Sequence, residues 1–192
     1  MYVKTTILLI VWNILVHILL IIFYGVDKSF GPNINAIHAL ALHPYLVLFK
    51  GEWWRIVTAL FIHMDSLHLF FNMYALYIAG RIVEIYYGRM RTLGIYFVSG
   101  IIGNIASLLL PAFSVGSSGA VFGLFGALVV IEKRVTGTAV AVLVFLIIVI
   151  LLSNLAYPGR INNIAHIVGA LVGYITAKHM QPHESTKIPA TI

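Results

Sequence analysis

The stretch that organises this chain reads Ser114-Val-Gly-Ser-Ser-Gly-Ala-Val-Phe-Gly-Leu-Phe-Gly126. A turn of small residues leads directly into an apolar helix, and Ser118 stands in the first turn of that helix. The glycines at 119, 123 and 126 recur at helical spacing, so one face of the helix is bare backbone that a neighbouring helix can approach closely. Because free N–H groups at a helix N-terminus favour negative charge, a hydroxyl that attacks a carbonyl here would find its oxyanion stabilised.

The same stretch also has a purely structural interpretation. Serine is a preferred N-cap, and faces of small residues are common where membrane helices pack. Taken alone, the stretch favours capping by Ser117 or Ser118 over catalysis. Other parts of the chain must therefore decide between the two interpretations.

Composition places the chain in a membrane. Of 192 residues, 61% are hydrophobic and 9% are charged, which lies outside the range of soluble globular proteins. We therefore predict an all-α membrane protein, a bundle of six transmembrane helices. The first span is expected to persist, because no small-residue cleavage pattern follows it. The predicted spans are about 5–24, 60–79, 92–110, 118–131, 138–156 and 162–178.

Charge and cysteine content exclude several classes of function. The chain has no cysteine, which excludes disulfides, thiol nucleophiles and cysteine-based metal sites. Its net charge of +6 does not indicate nucleic-acid binding, because the basic residues flank the spans instead of forming one patch. Six spans place both termini on one side, which the positive-inside rule makes cytoplasmic. That side holds Lys4, Arg81, Arg89, Arg91, Lys133, Arg134, Lys178 and Lys187, and the other holds Lys28, Lys50, Arg55 and Arg160.

Residues 25–58 form the one long connection between predicted spans, and they are not a polar linker. The segment 38–49 is mostly apolar, and Trp53, Trp54 and Arg55 follow it. This segment is too short to span a membrane, and tryptophans beside a charge suit the headgroup level, so we predict an interfacial first loop. Simple anchoring explains Trp54 and Arg55 at least as well as a catalytic role does.

The second span carries three polar side chains, those of His63, His68 and Asn72. Such side chains are costly in a membrane helix unless they face protein or water, so they are candidates for a functional site. His68 and Asn72 are four residues apart and share a helix face. His63 is rotated away near the helix start, where a structural hydrogen bond is its expected role.

The sixth span carries His166, Gly169 and Gly173 at positions i, i+3 and i+7, which lie on one face. The histidine therefore projects from the side that permits close approach of another helix. The expected partner of this side is the glycine face of the fourth span.

Two other polar features have structural interpretations. Glu84 lies in a predicted cytoplasmic turn among basic residues, so we expect ion pairing there. In the third span, Gly100, Gly103 and Asn104 indicate helix packing and one interhelical hydrogen bond.

The polar residues of three spans are predicted to lie at one depth in the membrane. Counted from the cytoplasmic charges at ~1.5 Å per residue, Ser118, His166 and His68 all lie roughly 18–21 Å up, with Asn72 one turn lower. In a hydrocarbon core ~30 Å thick, the fourth span of about fourteen residues is too short to cross unaided. We therefore predict a re-entrant loop before it and a cavity that admits water. A serine, a histidine and two further donors at one depth constitute an acyl-transfer site.

Together these residues resemble the rhomboid family of intramembrane serine proteases. The resemblance implies a Ser118/His166 catalytic dyad without an essential acid, and an oxyanion hole formed by His68, Asn72 and the Ser118 N–H. It also implies a serine endopeptidase that cleaves substrates which themselves span the membrane. The matching residues, in chain order, are Trp54-Arg55, His63, His68, Asn72, Gly80, Glu84, Gly116-Ser-Ser-Gly119, Ala165-His166, Gly169 and Gly173.

One position departs from the commonest family pattern, which has alanine before the catalytic serine. Ser117 stands there in this chain. We assign Ser118 as the nucleophile, because the motif names its third position and Ser118 opens the glycine face. Asp65 is expected to be interfacial and not a triad acid.

The chain resembles the minimal six-helix form of the family. We expect residues 1–180 to form the membrane domain and 181–192 a short cytoplasmic tail. The expected location is the plasma membrane of a prokaryote, as a multi-pass protein. The expected partners are the lipid bilayer and transmembrane substrates, and the sequence does not fix the oligomeric state.

Three other functions compete with proteolysis. An inactive rhomboid-like protein that binds membrane clients would be expected to have lost the serine or the histidine. A small transporter would be expected to have paired broken helices in two related halves, and the sequence has no such repeat. A metalloprotease would need a His-Glu-x-x-His pattern, which is absent, so we expect no metal and no cofactor.

The fifth span offers its neighbours only large apolar side chains between Ala141 and Ser153. Tightly packed membrane helices usually present small or polar residues, so this span is predicted to be loosely held. A transmembrane substrate must enter a buried site sideways, and movement of the fifth helix away from the second would admit it. The alternative is an ordinary lipid-facing helix that stays in place.

Overall fold

The structure, a computed structural model, describes residues 3–28, 30–111, 113–156 and 161–183. Within these ranges the chain forms nine α-helices and no strand, as the prediction of an all-α fold requires. A short 3₁₀ helix, Ala59–Phe61, follows the fourth helix. The α-helices are α1 (Lys4–Tyr24), α2 (Ile34–Leu40), α3 (Pro44–Lys50), α4 (Arg55–Thr58), α5 (Ser66–Tyr87), α6 (Arg89–Ser107), α7 (Ser118–Thr136), α8 (Val140–Ala156) and α9 (Asn163–Lys178).

Helix α7 is the centre of the bundle. Every residue from Gly119 to Ile131 is buried, and α5, α6, α8 and α9 pack around it. Apolar residues on all sides of a helix are typical of one that is enclosed by protein or lipid, and here neighbouring helices enclose it. The position of each neighbouring helix is therefore set by its contact with α7.

The glycine faces of α7 and α9 meet, as the sequence predicted. A Cβ atom on Gly169 would lie 2.1 Å from the carbonyl oxygen of Gly119, and one on Gly173 would lie 1.9 Å from that of Gly123. No side chain fits at these distances, so the two backbones are in direct contact. This contact fixes the height of α9 against α7.

Substituting alanine for Gly173 should therefore destabilise the fold. The new methyl group must push the two helices apart, which we expect to cost about 3 kcal/mol. The midpoint of thermal unfolding in detergent should fall by roughly 6–12 °C. Gly94→Ala is the matched control, because Gly94 is also helical and a Cβ there meets nothing within 4 Å. Equal midpoints for the two variants would contradict the close contact.

Helix α1 has its polar residues inside and its apolar residues outside. Asn13 and Thr6 are fully buried and His17 nearly so, whereas Leu8 is 67% and Phe23 is 77% exposed. A helix on the surface of a protein in water would have the opposite arrangement. The exposed side of α1 is therefore suited to lipid.

Within the described ranges, one helix, Lys4–Tyr24, is long and apolar enough to cross a membrane. The number becomes two if the bent pair Arg55–Phe61 and Ser66–Tyr87 is taken as one span. Helix α8 is apolar but shorter. The count of six spans stays a prediction.

Two helix bounds differ from the predicted spans. The second span was predicted over 60–79, but the chain bends by 91° before α5, and α5 then continues to Tyr87. The bend occurs because Asp65 is the N-cap of α5 and accepts a hydrogen bond from the His68 N–H. The predicted fourth span, about fourteen residues long, corresponds to α7. This helix has 19 residues, because it continues through Lys133 and Arg134 to a left-handed Gly137.

The predicted ion pairing of Glu84 was wrong. Its carboxylate is 2% exposed and accepts hydrogen bonds from the backbone N–H groups of Thr5 and Thr6 at 2.9 and 2.8 Å. The Thr6 hydroxyl donates to it as well, at 2.8 Å. Because α1 has no acidic residue in its first turn, Glu84 supplies the negative charge that a helix N-terminus favours.

One end of the bundle collects the predicted cytoplasmic residues. Arg134 donates to the carbonyl groups of Lys178 and Met180, and Arg91 donates to that of Gln181. These contacts join the ends of α7 and α9 to the start of α6. Arg160, Lys187 and residues 184–192 of the predicted tail lie outside the described residues.

Candidate active site

Ser118 is the first residue of α7, and the turn before it is held on two sides. The backbone of Ser114 exchanges two hydrogen bonds of 2.9 Å with that of Leu42 in the first loop. The N–H of Gly116 donates to the carbonyl of Ala59 at 2.9 Å. Gly116 has φ +113°, a conformation that favours glycine, and a Cβ there would lie 3.0 Å from the His68 ring. The turn thus sets Ser118 beside His68.

The structure brings Ser118 and His166 together. The Nε2 atom of His166 lies 2.8 Å from the Oγ atom of Ser118, within hydrogen-bonding distance. His166 is 4% exposed, whereas Ser118 is only partly buried. The contact between the glycine faces of α7 and α9 is what places the two side chains at the same height.

Phe122 is a site residue that the sequence analysis missed. Its ring is stacked on the His166 ring with centroids 4.2 Å apart and an interplanar angle of 5°. It lies four residues after Ser118 and so shares its helix face. That spacing is the signal that could have identified it. The stacking restricts rotation of the imidazole.

His68 is also at the serine. Its Nδ1 atom accepts a hydrogen bond from the Met64 N–H at 3.4 Å, which leaves Nε2 to carry the proton. Nε2 lies 3.0 Å from the Cβ position of Gly116, and Ser118 Oγ lies 3.8 Å from the same point. His68 therefore offers an Nε2–H at Gly116, in the turn that leads into Ser118.

Asn72 lies one turn further along α5 and reaches the site through Ser117. Its Nδ2 atom donates to the His68 carbonyl at 2.9 Å, and its Oδ1 atom accepts from the Ser117 hydroxyl at 3.1 Å. Ser117 makes no capping hydrogen bond to α7. Helix capping therefore does not explain this hydroxyl.

The expected rotation of His63 away from His68 was wrong. The bend before α5 leaves His63 outside the helix, fully buried, with its ring centroid 5.2 Å from that of His68. The expected structural hydrogen bond is present, since His63 Nε2 lies 3.4 Å from Ser117 Oγ.

Arg55 makes its hydrogen bonds within the first loop and not with Ser118. It is 5% exposed and donates to the carbonyl oxygens of His38 and Ala41, both at 2.9 Å. Trp53 and Trp54 are each 56% exposed, as residues of an interfacial anchor would be. Asn104 makes the predicted interhelical hydrogen bond, to the Ile56 carbonyl of α4 at 2.8 Å.

In the parts of the chain that the structure describes, no three histidine and carboxylate side chains come together in a way that could hold a metal ion. Asp65 is committed to capping α5. The site brings the Ser118 hydroxyl within hydrogen-bonding distance of the His166 imidazole. The His68 imidazole and the N-terminus of α7 lie at the same turn.

Several known proteins are similar to this chain in sequence. The family model of the Rhomboid domain matches residues 50–182. The chain is 35% identical to Rhomboid protease GluP of Bacillus subtilis (strain 168), over 82% of this chain and 32% of the relative. It is 32% identical to Putative rhomboid protease YdcA of the same organism, over 66% of each protein. It is 31% identical to RHOMBOID-like protein 5 of Arabidopsis thaliana, over 75% of this chain and 49% of the relative.

The chain thus spans between about a third and two thirds of the length of these relatives. The matched region contains α4 to α9 and therefore Ser118, His166 and the side chains around them, namely Phe122, His68, Asn72, Ser117 and His63. Because the family model covers more than half of the sequence, this chain belongs to the rhomboid family.

Proposed function

We propose that this protein is a serine endopeptidase that cleaves peptide bonds in or near the transmembrane segments of other membrane proteins. The observation that carries the proposal is the 2.8 Å separation of Ser118 Oγ and His166 Nε2 at the start of the central helix. The rhomboid protease relatives support the same reaction class. Its partners are transmembrane substrates and the lipid bilayer.

In the proposed reaction, His166 Nε2 takes the proton of Ser118 as Oγ attacks the carbonyl carbon of the substrate. The tetrahedral intermediate carries its negative charge on the former carbonyl oxygen. His166 then gives the proton to the leaving amine, the C–N bond breaks, and the acyl group stays on Ser118. Water, deprotonated by His166, then attacks the carbonyl carbon of this ester. The bond between that carbon and Ser118 Oγ breaks, His166 returns the proton to Oγ, and the second product leaves as a carboxylic acid.

The oxyanion would be stabilised by three donors. The backbone N–H of Ser118 belongs to the first turn of α7, where N–H groups have no intrahelical acceptor. The Nε2–H of His68 lies on the same side of the turn. The Asn72 amide has a second N–H beyond the one bound to the His68 carbonyl.

Single alanine variants of His68 and Asn72 should each cleave more slowly than the unsubstituted protein, and neither should be inactive. Losing one oxyanion donor typically costs ~10²–10³ in rate, and the other donors remain. The measurement is kcat for a membrane-embedded substrate in proteoliposomes. Unchanged rates in both variants would return these residues to helix packing.

In a catalytic triad an acid holds the histidine in its orientation. Here Phe122 would orient the His166 imidazole instead. Its stacked ring holds the His166 imidazole parallel to itself, while the Nδ1 atom of His166 has no hydrogen-bond partner among the described residues. A dyad without an acid depends on such packing to keep Nε2 directed at Ser118.

The proposed topology is the predicted one. Residues 1–180 would form six spans with both termini cytoplasmic, the first loop would lie in the outer interface, and 181–192 would be a tail. A re-entrant turn before α7 is supported by its enclosure, because Leu42, Ala59 and Asn162 all bind it. The proposed location is the plasma membrane of a prokaryote.

Helix α8 is the proposed entrance for substrate. Leu146 is its one buried side chain among those that the structure describes, so little packing holds its middle. Its ends are held by polar contacts. Glu132 accepts from the N–H groups of Ala141 and Val142 at 3.0 Å, and Asn154 exchanges two amide hydrogen bonds with Asn163 on α9.

The direct test is reconstitution. Purified protein is placed in proteoliposomes with single-span membrane proteins, and the products are mapped by mass spectrometry. We expect new chain ends in or near the transmembrane segment. Intact substrates under conditions in which the protein remains folded would contradict the proposed function.

A further inference from the structure

Ser117, the neighbour of the proposed nucleophile, lies between two other site residues. Its hydroxyl is completely buried, 3.1 Å from Asn72 Oδ1 and 3.4 Å from His63 Nε2. The three side chains come from the start of α7, from α5 and from the bend before α5. The buried hydroxyl of Tyr96 is a further polar neighbour. A buried hydroxyl with these neighbours and no capping bond has a role other than starting the helix.

Donor and acceptor chemistry gives this chain of contacts one direction. The Oδ1 atom of an asparagine can only accept, so the Ser117 hydroxyl donates its proton to Asn72. With its one proton given to Asn72, Ser117 Oγ can bind His63 only as an acceptor, which requires that the His63 proton is on Nε2. Hydrogen bonds thus run from His63 through Ser117 to Asn72.

The orientation of the Asn72 amide is therefore fixed from both sides. Its Nδ2 donates to the His68 carbonyl at 2.9 Å while its Oδ1 accepts from Ser117. A flipped amide would place Oδ1 against the His68 carbonyl oxygen and leave Nδ2 facing the Ser117 hydroxyl. In the observed orientation, one N–H of Nδ2 remains uncommitted.

We propose that Ser117 is a positioning residue that, with His63 behind it, holds the Asn72 amide so that its free N–H can bind the oxyanion of a substrate on Ser118. This inference rests on the proposed function. It gives a role to the one position at which the chain departs from the commonest family pattern. Without the hydroxyl, Asn72 Oδ1 and His63 Nε2–H both lose a buried partner.

A double-mutant cycle distinguishes positioning from a merely structural role. We compare kcat and KM for Ser117→Ala, Asn72→Ala and the double variant, all in the full chain in proteoliposomes. Ser117→Ala should lower kcat by about 10-fold, less than the ~10²–10³ expected when a donor is lost outright, and KM should change less than about two-fold. In the Asn72→Ala background, Ser117→Ala should have no further effect.

Two controls make the cycle specific. In a His68→Ala background, Ser117→Ala should keep its full effect, because Ser117 makes no hydrogen bond to His68. Ser99→Ala removes another buried hydroxyl, one that has no hydrogen-bond partner among the described residues, and should leave kcat unchanged. If Ser117→Ala does not fold, Ser117→Cys, which keeps the shape but donates weakly, replaces it in the same cycle.

An equal effect of Ser117→Ala with and without the Asn72 side chain would overturn the inference, as would an unchanged kcat. Either result leaves the proposed function intact as long as cleavage still requires Ser118. Cleavage that persists in Ser118→Ala would instead overturn the proposed function itself. The two failures are thus separated in one set of measurements.

Discussion

Ser118→Ala and His166→Ala are each expected to abolish peptide-bond cleavage while leaving a folded protein that detergent can extract. The reason is their hydrogen bond of 2.8 Å, which makes the hydroxyl and the imidazole one unit. The double variant should be no slower than either single variant, because removing the second member of a unit costs nothing further. The measurement is product formation from an embedded substrate, with the unfolding midpoint recorded for each variant.

Ser117→Ala is the matched control, since it removes the adjacent hydroxyl of the same turn. It should retain cleavage at a reduced rate, because Ser117 contacts Asn72 and His63 but not His166. If Ser117→Ala is inactive and Ser118→Ala is active, our choice of nucleophile is wrong.

A cross-link between the outer halves of α5 and α8 should stop cleavage of a membrane-embedded substrate. The chain has no native cysteine, so one introduced pair can be oxidised without interference. Closing the gap between the two helices blocks sideways entry, and reduction should restore the rate. A short soluble peptide that enters from the aqueous side should be affected less.

A second cross-link tests whether the effect is local. A cysteine pair between α1 and α5, which pack against each other on the other side of the site, should leave cleavage unchanged after oxidation. Undiminished cleavage of the embedded substrate by fully cross-linked α5–α8 enzyme would exclude this entrance and leave α8 as an ordinary lipid-facing helix.

The sequence predicted those features that depend on spacing within one helix. Helical periodicity alone places Gly119 and Gly123 on one face of α7. It likewise places Gly169 and Gly173 on one face of α9. Their direct contact in the structure confirms that the two faces pair. The position of His166 at Ser118 follows from that pairing.

The errors concern one contact between residues far apart in the chain and one local bend. Glu84 finds its partners at Thr5 and Thr6, nearly 80 residues away, where no local pattern points. The bend before α5 depends on capping by Asp65, and that bend returns His63 to the site. Helix periodicity assumes a straight helix and cannot anticipate either arrangement.

The central claim is that Ser118 is an activated nucleophile, and covalent labelling tests it most directly. A fluorophosphonate, which reacts only with activated serines, is added to the protein in detergent, and the modified residue is identified by mass spectrometry. We predict one adduct on Ser118 in the unsubstituted protein and in Gly94→Ala, and none in Ser118→Ala or His166→Ala. No adduct on the folded protein, or an adduct that persists in Ser118→Ala, would contradict the account.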